Sequence, residues 1–129
     1  MGQVKQQKEV YRCAICGNMV EVIRVGGGEL VCCGQPMNLE EGKNEGTGAE
    51  KHLPVANQQQ NELLVKVGEV LHPMEDSHFI EWIELQEGAK VIRQFLEPGK
   101  EPKAKFSVSS PNWQIRAYCN QHGLWQIKS

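Results

Sequence analysis

The sequence predicts a mainly β protein in which a small metal-bound N-terminal domain precedes an antiparallel β-sandwich. Four of the five cysteines lie before about residue 39, where large apolar residues are few, as in segments whose core is replaced by a metal. Beyond that point the hydrophobic period is two wherever it is clear, and no convincing helical segment interrupts it. We therefore expect a domain at 1–39, a linker rich in Gly, Glu, Lys and Asn at 40–50, and a sandwich domain at 51–129.

The N-terminal segment predicts a hairpin that brings two cysteine-bearing turns together. An alternating run leads into the glycines at 26–28, and a short return run leads to the adjacent pair Cys32 and Cys33. Successive side chains of an extended strand point to opposite faces, so both cysteines reach one ion only if the backbone bends sharply. Gly34 and Pro36 are the residues expected to supply that bend.

The larger domain predicts short strands separated by turns. In its alternating runs, the residues that share a face are Leu63, Val65 and Val67; Phe79, Glu81, Ile83 and Leu85, opposite Ile80, Trp82 and Glu84; Ala104, Phe106 and Val108; and Trp113, Ile115, Ala117 and Cys119. Gly68, Gly88, Pro98-Gly99 and Pro111 mark turns between them. Six or seven short strands in about eighty residues indicate an antiparallel sandwich.

Charge and hydropathy exclude several classes of partner. With 14 basic and 16 acidic residues the net charge is -2, so nothing global favours binding to nucleic acid or to an anionic membrane. The N-terminus lacks an apolar export segment, and the longest apolar runs are too short to span a bilayer. We therefore expect a cytoplasmic protein, in which cysteine pairs indicate metal or redox sites before disulfides.

The first group of metal-type residues consists of cysteines alone. Cys13-x-x-Cys16 is followed, after a fifteen-residue gap, by Cys32-Cys33. Four thiolates suit zinc or a single iron, and the spacing does not choose between a zinc site that folds the segment and an iron site that exchanges electrons. Disulfide pairing is a weaker alternative, because five cysteines leave one unpaired.

The second group contains all four histidines and the remaining cysteine: His52, His72, His78, Cys119 and His122. Five such ligands are too many for structural zinc, which closes at four. They describe a square-pyramidal site with four nitrogens in a plane, sulfur on the axis and a sixth position for a small ligand. Iron accepts this geometry, and an axial thiolate pushes electron density toward whatever binds opposite it. The pattern favours a site for small oxygen species.

Two charged residues directly precede the first histidine of this group. Lys51 would draw a small anion toward the site in an otherwise acidic chain, and Glu50 would reach the sixth position or hold the loop. The alternative is that both are ordinary solvated surface charges, as most lysines and glutamates are.

These residues resemble a known family. The matching motifs are Cys13-Ala-Ile-Cys16-Gly17-Asn18, Cys32-Cys33-Gly34, Glu50-Lys51-His52, His72-Pro73-Met74-Glu75 with His78, Trp82-Ile83-Glu84-Leu85, and Cys119-Asn120-x-His122-Gly123-x-Trp125. From about Val10 to Trp125 the chain resembles desulfoferrodoxin, the two-iron form of superoxide reductase. The resemblance implies a homodimer whose chains each have a desulforedoxin-like domain and an immunoglobulin-like sandwich.

The resemblance also implies two irons per chain and an enzymatic activity. One iron would be bound by Cys13, Cys16, Cys32 and Cys33, and the other by His52, His72, His78 and His122 in the plane with Cys119 on the axis. The second iron would reduce superoxide by one electron to hydrogen peroxide without releasing dioxygen, with rubredoxin or a similar protein as donor. Lys51 would attract superoxide and assist protonation, and Glu50 would cap the ferric iron.

Two other functions remain open on the residues alone. One is an iron electron-transfer or storage protein without turnover of its own, which has no use for an open position beside Lys51. The other is a zinc-folded binding module, which requires the second group of ligands to be fortuitous.

Overall fold

The computed structural model describes residues 3–129 and divides into two compact units, with the boundary between Glu41 and Gly42. Both units are built mainly of antiparallel strands, which confirms the predicted fold class. The segment predicted as a linker is shared between them. Glu40 ends the last strand of the first unit, whereas Lys43 forms a β-bridge with Trp125 in the second unit.

The first unit is a small domain that contains four of the five cysteines and has two short sheets. Its strands are β1 (Val10–Arg12), β2 (Met19–Glu21), β3 (Val31–Cys32), β4 (Gln35–Pro36) and β5 (Asn38–Glu40). The order β2-β1-β5 forms one sheet, and β3 pairs with β4 in the other. Its buried cluster consists of Val4, Tyr11, Cys13, Val22 and Met37. A core this small, with a cysteine as a member, agrees with the expectation that a metal completes it.

The second unit is a two-sheet sandwich. Its elements are the helix α1 (Ala49–His52) and the strands β6 (Pro54–Gln59), β7 (Glu62–Val67), β8 (Ile80–Glu87), β9 (Lys90–Phe95), β10 (Lys103–Ser107), β11 (Gln114–Cys119) and β12 (Gly123–Lys128). The sheet orders are β10-β7-β6 and β12-β11-β8-β9. Across residues 3–129 no helix is long and apolar enough to cross a membrane.

The core of the sandwich follows the predicted alternation. Leu63, Val65 and Val67 of β7 are buried, whereas Leu64 between them is exposed. Ile115, Ala117 and Cys119 lie in the same core, as do the predicted residues of β10. Each large apolar side chain buried in this way contributes roughly 1.5–3 kcal/mol. Because Cys119 is the last core residue of β11, the packing that holds the strand also fixes the position of its thiol.

A β-bulge in β8 breaks the predicted alternation. Tyr118 pairs with Trp82 and Cys119 pairs with Ile80, so Glu81 is an extra residue on β8. Ile80 consequently turns into the core with Ile83 and Leu85, and its predicted place on the face of Trp82 and Glu84 is wrong. Bulges of this kind re-aim neighbouring side chains and occur beside functional sites.

A buried charge network locks the register between β8 and β11. Glu84 and Arg116 are cross-strand partners, and Arg116 donates to both carboxylate oxygens of Glu84 at 2.8 and 2.9 Å. Arg93 of β9 also donates to this carboxylate. Burial alone would raise the pKa of Glu84, but the bonds and charge of Arg116 outweigh it and lower the pKa. Since breaking such a pair costs about 3–5 kcal/mol, a register shift that would move Cys119 is strongly disfavoured.

Candidate metal centres

The four cysteines of the first unit meet at one point. Cys13 follows β1, Cys16 lies in the turn after it, and Cys32 ends β3. Their sulfur atoms and that of Cys33 all lie within 4.8 Å of one another, and none of the four forms a disulfide. The backbone amides of Cys16 and Asn18 donate to the sulfurs of Cys13 and Cys16, each at 3.4 Å. Amides aimed at sulfur stabilise thiolates, as a bound metal ion requires.

The bend that lets the adjacent cysteines converge lies at Cys33 and Gly34. Their φ angles are +54° and +79°, both in the left-handed region that glycine adopts readily and other residues rarely do. Pro36, also expected to contribute, instead pairs with Val31 in the sheet of β3 and β4. The strained position is therefore occupied by a cysteine, which is explained if its sulfur is needed in the cluster.

Thiol acidity in this cluster is uneven. The backbone amide of Cys16 lowers the pKa of Cys13 to about 6. The neighbouring sulfurs, first that of Cys16, raise the pKa of Cys33 to about 12. Four thiolates this close repel one another, so the full set ionises only around a cation.

The four histidines and Cys119 form a second cluster in the sandwich. His52 ends α1, His72 lies in the loop after β7, His78 lies just before β8, and Cys119 and His122 flank the turn between β11 and β12. Their ligand atoms also lie within 4.8 Å of one another. The structure therefore brings together all five residues that the sequence singled out, from three separate segments: α1, the loop between β7 and β8, and the region of the β11–β12 turn.

The four imidazoles lie at the corners of a near-square. The ring centroids are 4.6 Å apart for His52 and His72, 4.6 Å for His72 and His78, 5.0 Å for His78 and His122, and 4.8 Å for His122 and His52. The diagonal from His52 to His78 is 6.4 Å, close to the value for a square of these sides. The sulfur of Cys119 lies 3.4 Å from His72 Nε2 and 3.7 Å from His122 Nδ1.

The hydrogen bonds of His52 and His72 leave one nitrogen of each ring for the centre. The Nδ1 atoms of His52 and His72 lie 2.8 and 2.7 Å from the carbonyl oxygens of Gly48 and Pro73, so each Nε2 points inward. His78 Nε2 is buried and has no hydrogen-bond partner in the described residues. A buried polar nitrogen without a partner is costly unless a metal ion takes its lone pair. The outer carbonyls orient the rings as the second shell of a metal site does.

Burial controls the charge of this cluster. It lowers the pKa of His72 to about 4 and lowers that of His52, so both imidazoles stay neutral at physiological pH. It raises the pKa of Cys119, which favours the protonated thiol, and a cation bound nearby would stabilise the thiolate instead. Neutral imidazoles and a metal-stabilised thiolate form the donor set that suits iron better than magnesium or calcium.

Glu50 and Lys51 lie on α1 immediately before His52, and both are exposed. Gly68, with φ +89°, lets the chain pass close to this helix: a β-carbon there would lie 2.7 Å from the carbonyl oxygen of Lys51. The position of α1, and with it the exposed pair, thus depends on a glycine that sequence reasoning identified only as a turn.

Two further contributors were missed by sequence reasoning. The side chain of Asn120 accepts from the Phe79 amide at 3.0 Å and donates to the Ser77 carbonyl at 3.1 Å, which brackets His78. Its position between Cys119 and His122 could have identified Asn120 as part of the site from the sequence alone. Lys43 contacts Trp125 and the His122 carbonyl, and its location in an apparent linker gave no signal.

The fold and the two clusters define a two-metal β protein, with a tetrathiolate unit and a sandwich that carries four imidazoles and one thiolate. The sequence matches the desulfoferrodoxin family over residues 44–128 and the desulfoferrodoxin N-terminal domain over residues 5–39. A desulfoferrodoxin homolog of Archaeoglobus fulgidus is 56% identical over 118 residues, which is 92% of this chain and 94% of the relative. The chain belongs to the desulfoferrodoxin family. Both of its donor sets are consistent with iron.

Solved structures show the same fold. The superoxide reductase from Treponema pallidum matches with a TM-score of 0.71 and 23% identity, over 96% of this chain and all of that chain (100%). The superoxide reductase from Giardia intestinalis matches with a TM-score of 0.54 and 31% identity, over 62% of this chain and 97% of that one.

Proposed function

We propose that this chain is a superoxide reductase, an oxidoreductase that holds two irons and reduces superoxide to hydrogen peroxide. The tetrathiolate iron is assigned to Cys13, Cys16, Cys32 and Cys33, and the substrate-reducing iron to His52, His72, His78, His122 and Cys119. Family membership and the likeness to the superoxide reductase of Giardia intestinalis support this assignment.

The observation that carries the proposal is the near-square of imidazoles with one sulfur beside it. His52, His72, His78, His122 and Cys119 would hold an iron with five protein ligands, which is one fewer than six-coordinate iron accepts, so a diatomic anion could also bind. Such an iron would supply the one electron that the substrate needs, and the Cys119 thiolate would favour its transfer. One superoxide, one electron and two protons then give one hydrogen peroxide, so no dioxygen is produced.

The two charged residues that directly precede His52 are assigned roles in attracting and protonating the substrate and in capping the iron. Lys51, exposed on α1, attracts the superoxide anion to a chain of net charge -2 and supports its protonation. Glu50, its exposed neighbour, is assigned as the group that would cap the oxidised form of an iron held at this site. Both assignments rest on the direct chain connection to His52.

Partners and compartment follow from the same chemistry. Each turnover oxidises the iron, so an external one-electron donor such as rubredoxin is required, and the tetrathiolate iron passes or stores the electron. We infer a homodimer, because the first unit exposes several apolar side chains, among them Ile15, Ile23 and Val31. A cytoplasmic location fits thiol ligands that must stay reduced.

The test mixes anaerobically reduced protein with a known amount of superoxide and measures both peroxide and dioxygen. We expect one peroxide for each superoxide consumed and no dioxygen. Dioxygen evolved beside peroxide would show dismutation and overturn the proposal. Protein that binds iron in both sites but leaves superoxide unconsumed would indicate the alternative function, a non-catalytic electron-transfer protein.

A further inference from the structure

The site formed by the four histidines and Cys119 is called the mixed site. Lys43 is anchored beside it by hydrogen bonds of its backbone. Its amide donates to Leu124 at 2.9 Å and its carbonyl accepts from Gln126 at 2.9 Å, so it runs alongside β12 at Trp125. The preceding residue is Gly42, where a β-carbon would lie 2.5 Å from the Gln126 side chain. A larger residue at position 42 would require the flexible Gln126 side chain to move. The backbone bonds give Lys43 a fixed place on the sandwich although its sequence context is that of a linker.

The side chain of Lys43 contacts groups that are linked to two of the imidazoles. Its Nζ donates to the carbonyl oxygen of His122 at 2.8 Å and lies 4.8 Å from the ring centroid of Trp125. Trp125 Nε1 donates to the same carbonyl at 3.1 Å. The Trp125 ring stacks on His52, with 5.1 Å between centroids and 18° between planes. A short path of contacts therefore joins one ammonium group to His122 and to His52.

An ammonium at this place has two physical effects. Its hydrogen bond and cation–π contact restrain the His122 backbone and the Trp125 ring, and both restraints orient imidazoles that face the centre. Its charge favours the reduced form of a bound iron, because ferrous iron carries one positive charge fewer than ferric iron. An apolar side chain of similar length, such as methionine, would supply neither effect.

We propose that Lys43 is a positioning residue of the mixed iron site: it orients His122 directly and His52 through Trp125, and its charge raises the reduction potential of the bound iron. This inference rests on the proposed use of iron at that site. It assigns Lys43 a task distinct from that of Lys51, which is assigned to the substrate.

The test compares the full-length iron-loaded protein with Lys43→Met, Lys43→Arg and Lys43→Gln. In each, iron per chain, the thiolate-to-iron absorption band and the midpoint potential of the mixed site are measured. We expect Lys43→Met to shift the band and to lower the potential. Lys43→Arg keeps the charge and donors and should restore most of the potential. Lys43→Gln keeps a donor without the charge, so its potential should be as low as that of Lys43→Met.

A matched control is Lys105→Met, which removes the same charge from an exposed lysine of β10 whose side chain is 63% exposed. Lys105→Met should leave the thiolate-to-iron absorption band and the midpoint potential of the mixed site unchanged. Wild-type values in Lys43→Met, or equal shifts in Lys43→Met and Lys105→Met, would overturn the inference. If Lys43→Met fails to load iron, the comparison of Lys43→Arg with Lys43→Gln decides: equal potentials refute a role for the charge. These readouts need no superoxide, so they stand even if the proposed activity fails.

Discussion

The Nε2 atoms of His52 and His72 lie 3.1 Å apart. Two nitrogens at neighbouring corners of a square around one ion, each about 2.1 Å from it, are about 3.0 Å apart. Because the Nδ1 atom of each neutral ring donates to a carbonyl oxygen, both Nε2 atoms carry lone pairs that face each other without a shared proton. The pocket thus holds these nitrogens at a coordination distance by packing and hydrogen bonds, and a metal ion would accept both lone pairs without large movement of the rings.

Acid should destabilise the metal-free protein through these imidazoles. The folded-state pKa of His72, about 4, lies below its ordinary value of 6.5, and burial also lowers that of His52. Between these pH values the unfolded chain binds protons that the folded chain does not, so the free energy of unfolding falls as the pH falls. We expect full stability from His72 above pH 6.5 and a loss on the order of 2 kcal/mol near pH 4.

Urea denaturation of the metal-free protein across this pH window measures the effect. His72→Asn keeps a polar side chain but removes the titration, so its stability should depend less on pH than that of the wild type. A wild-type stability that stays constant over the window would contradict the prediction, as would an equal pH dependence in His72→Asn.

Much of this arrangement could be predicted from sequence, because it depends on residue type and on local period. Thiolate and imidazole are the side-chain ligands that suit soft and borderline transition metals, so a chain whose histidines and cysteines all divide into two groups indicates two metal sites. The core faces of β7 and β10 followed from strict alternation, as Leu63, Val65 and Val67 show. These features need no knowledge of which strand lies beside which.

Features that depend on strand pairing could not be predicted. Ile80 turns into the core because a bulge at Glu81 offsets β8 against β11, and nothing in the β8 sequence alone specifies that offset. Lys43 lies in a run of Gly, Glu, Lys and Asn typical of a linker. It nevertheless pairs with the edge of β12 through backbone hydrogen bonds. Backbone pairing of this kind is nearly independent of side-chain type, so composition gives no indication of it.

Asn120 should control iron retention at the mixed site. Its side chain joins the turn after Cys119 to the residues on either side of His78 through the Phe79 amide and the Ser77 carbonyl. Asn120→Ala removes both bonds, and loss of such an outer-shell partner costs about 10–100-fold in metal affinity. Chelator competition, followed by the absorption band of each iron, should show faster loss from the mixed site and unchanged loss from the tetrathiolate site.

The control for this change is Asn112→Ala, at an exposed asparagine in the loop before β11. It should retain both irons as the wild type does. Equal retention in Asn120→Ala and Asn112→Ala would show that the bridge to Ser77 and Phe79 does not hold the His78 loop in place.

Gly68 and Gly99 offer a matched pair for testing how α1 is positioned. Their φ angles are +89° and +87°, so alanine costs each about 1–2 kcal/mol of backbone strain. At Gly99 a β-carbon meets nothing within 4 Å, whereas at Gly68 it meets the carbonyl oxygens of Val70 and Lys51. Gly68→Ala should therefore destabilise the protein by more than Gly99→Ala, and only Gly68→Ala should weaken iron binding at His52.

Urea denaturation and iron content per chain measure the two effects. If Gly68→Ala and Gly99→Ala lose the same stability and both keep a full mixed site, the close approach at Gly68 does not position α1.

Lys51 should set the rate at which superoxide reaches the reduced protein. The chain has a net charge of -2, so attraction of an anion has to come from a local cation, and Lys51 is exposed beside His52. Lys51→Met should slow the second-order reaction with superoxide by about tenfold or more and flatten its dependence on ionic strength, since salt then has less attraction to screen.

Lys105→Met separates this local effect from net charge, because it makes the same charge change on β10, where the lysine pairs with Glu62 at 3.6 Å. Rapid mixing of superoxide with each reduced variant at several salt concentrations gives both rate and salt dependence. A local role requires a slower, salt-insensitive reaction in Lys51→Met and a near wild-type reaction in Lys105→Met. Equal slowing in the two variants would instead mean that superoxide responds to the net charge of the protein, and Lys51 would then have no special part in its capture.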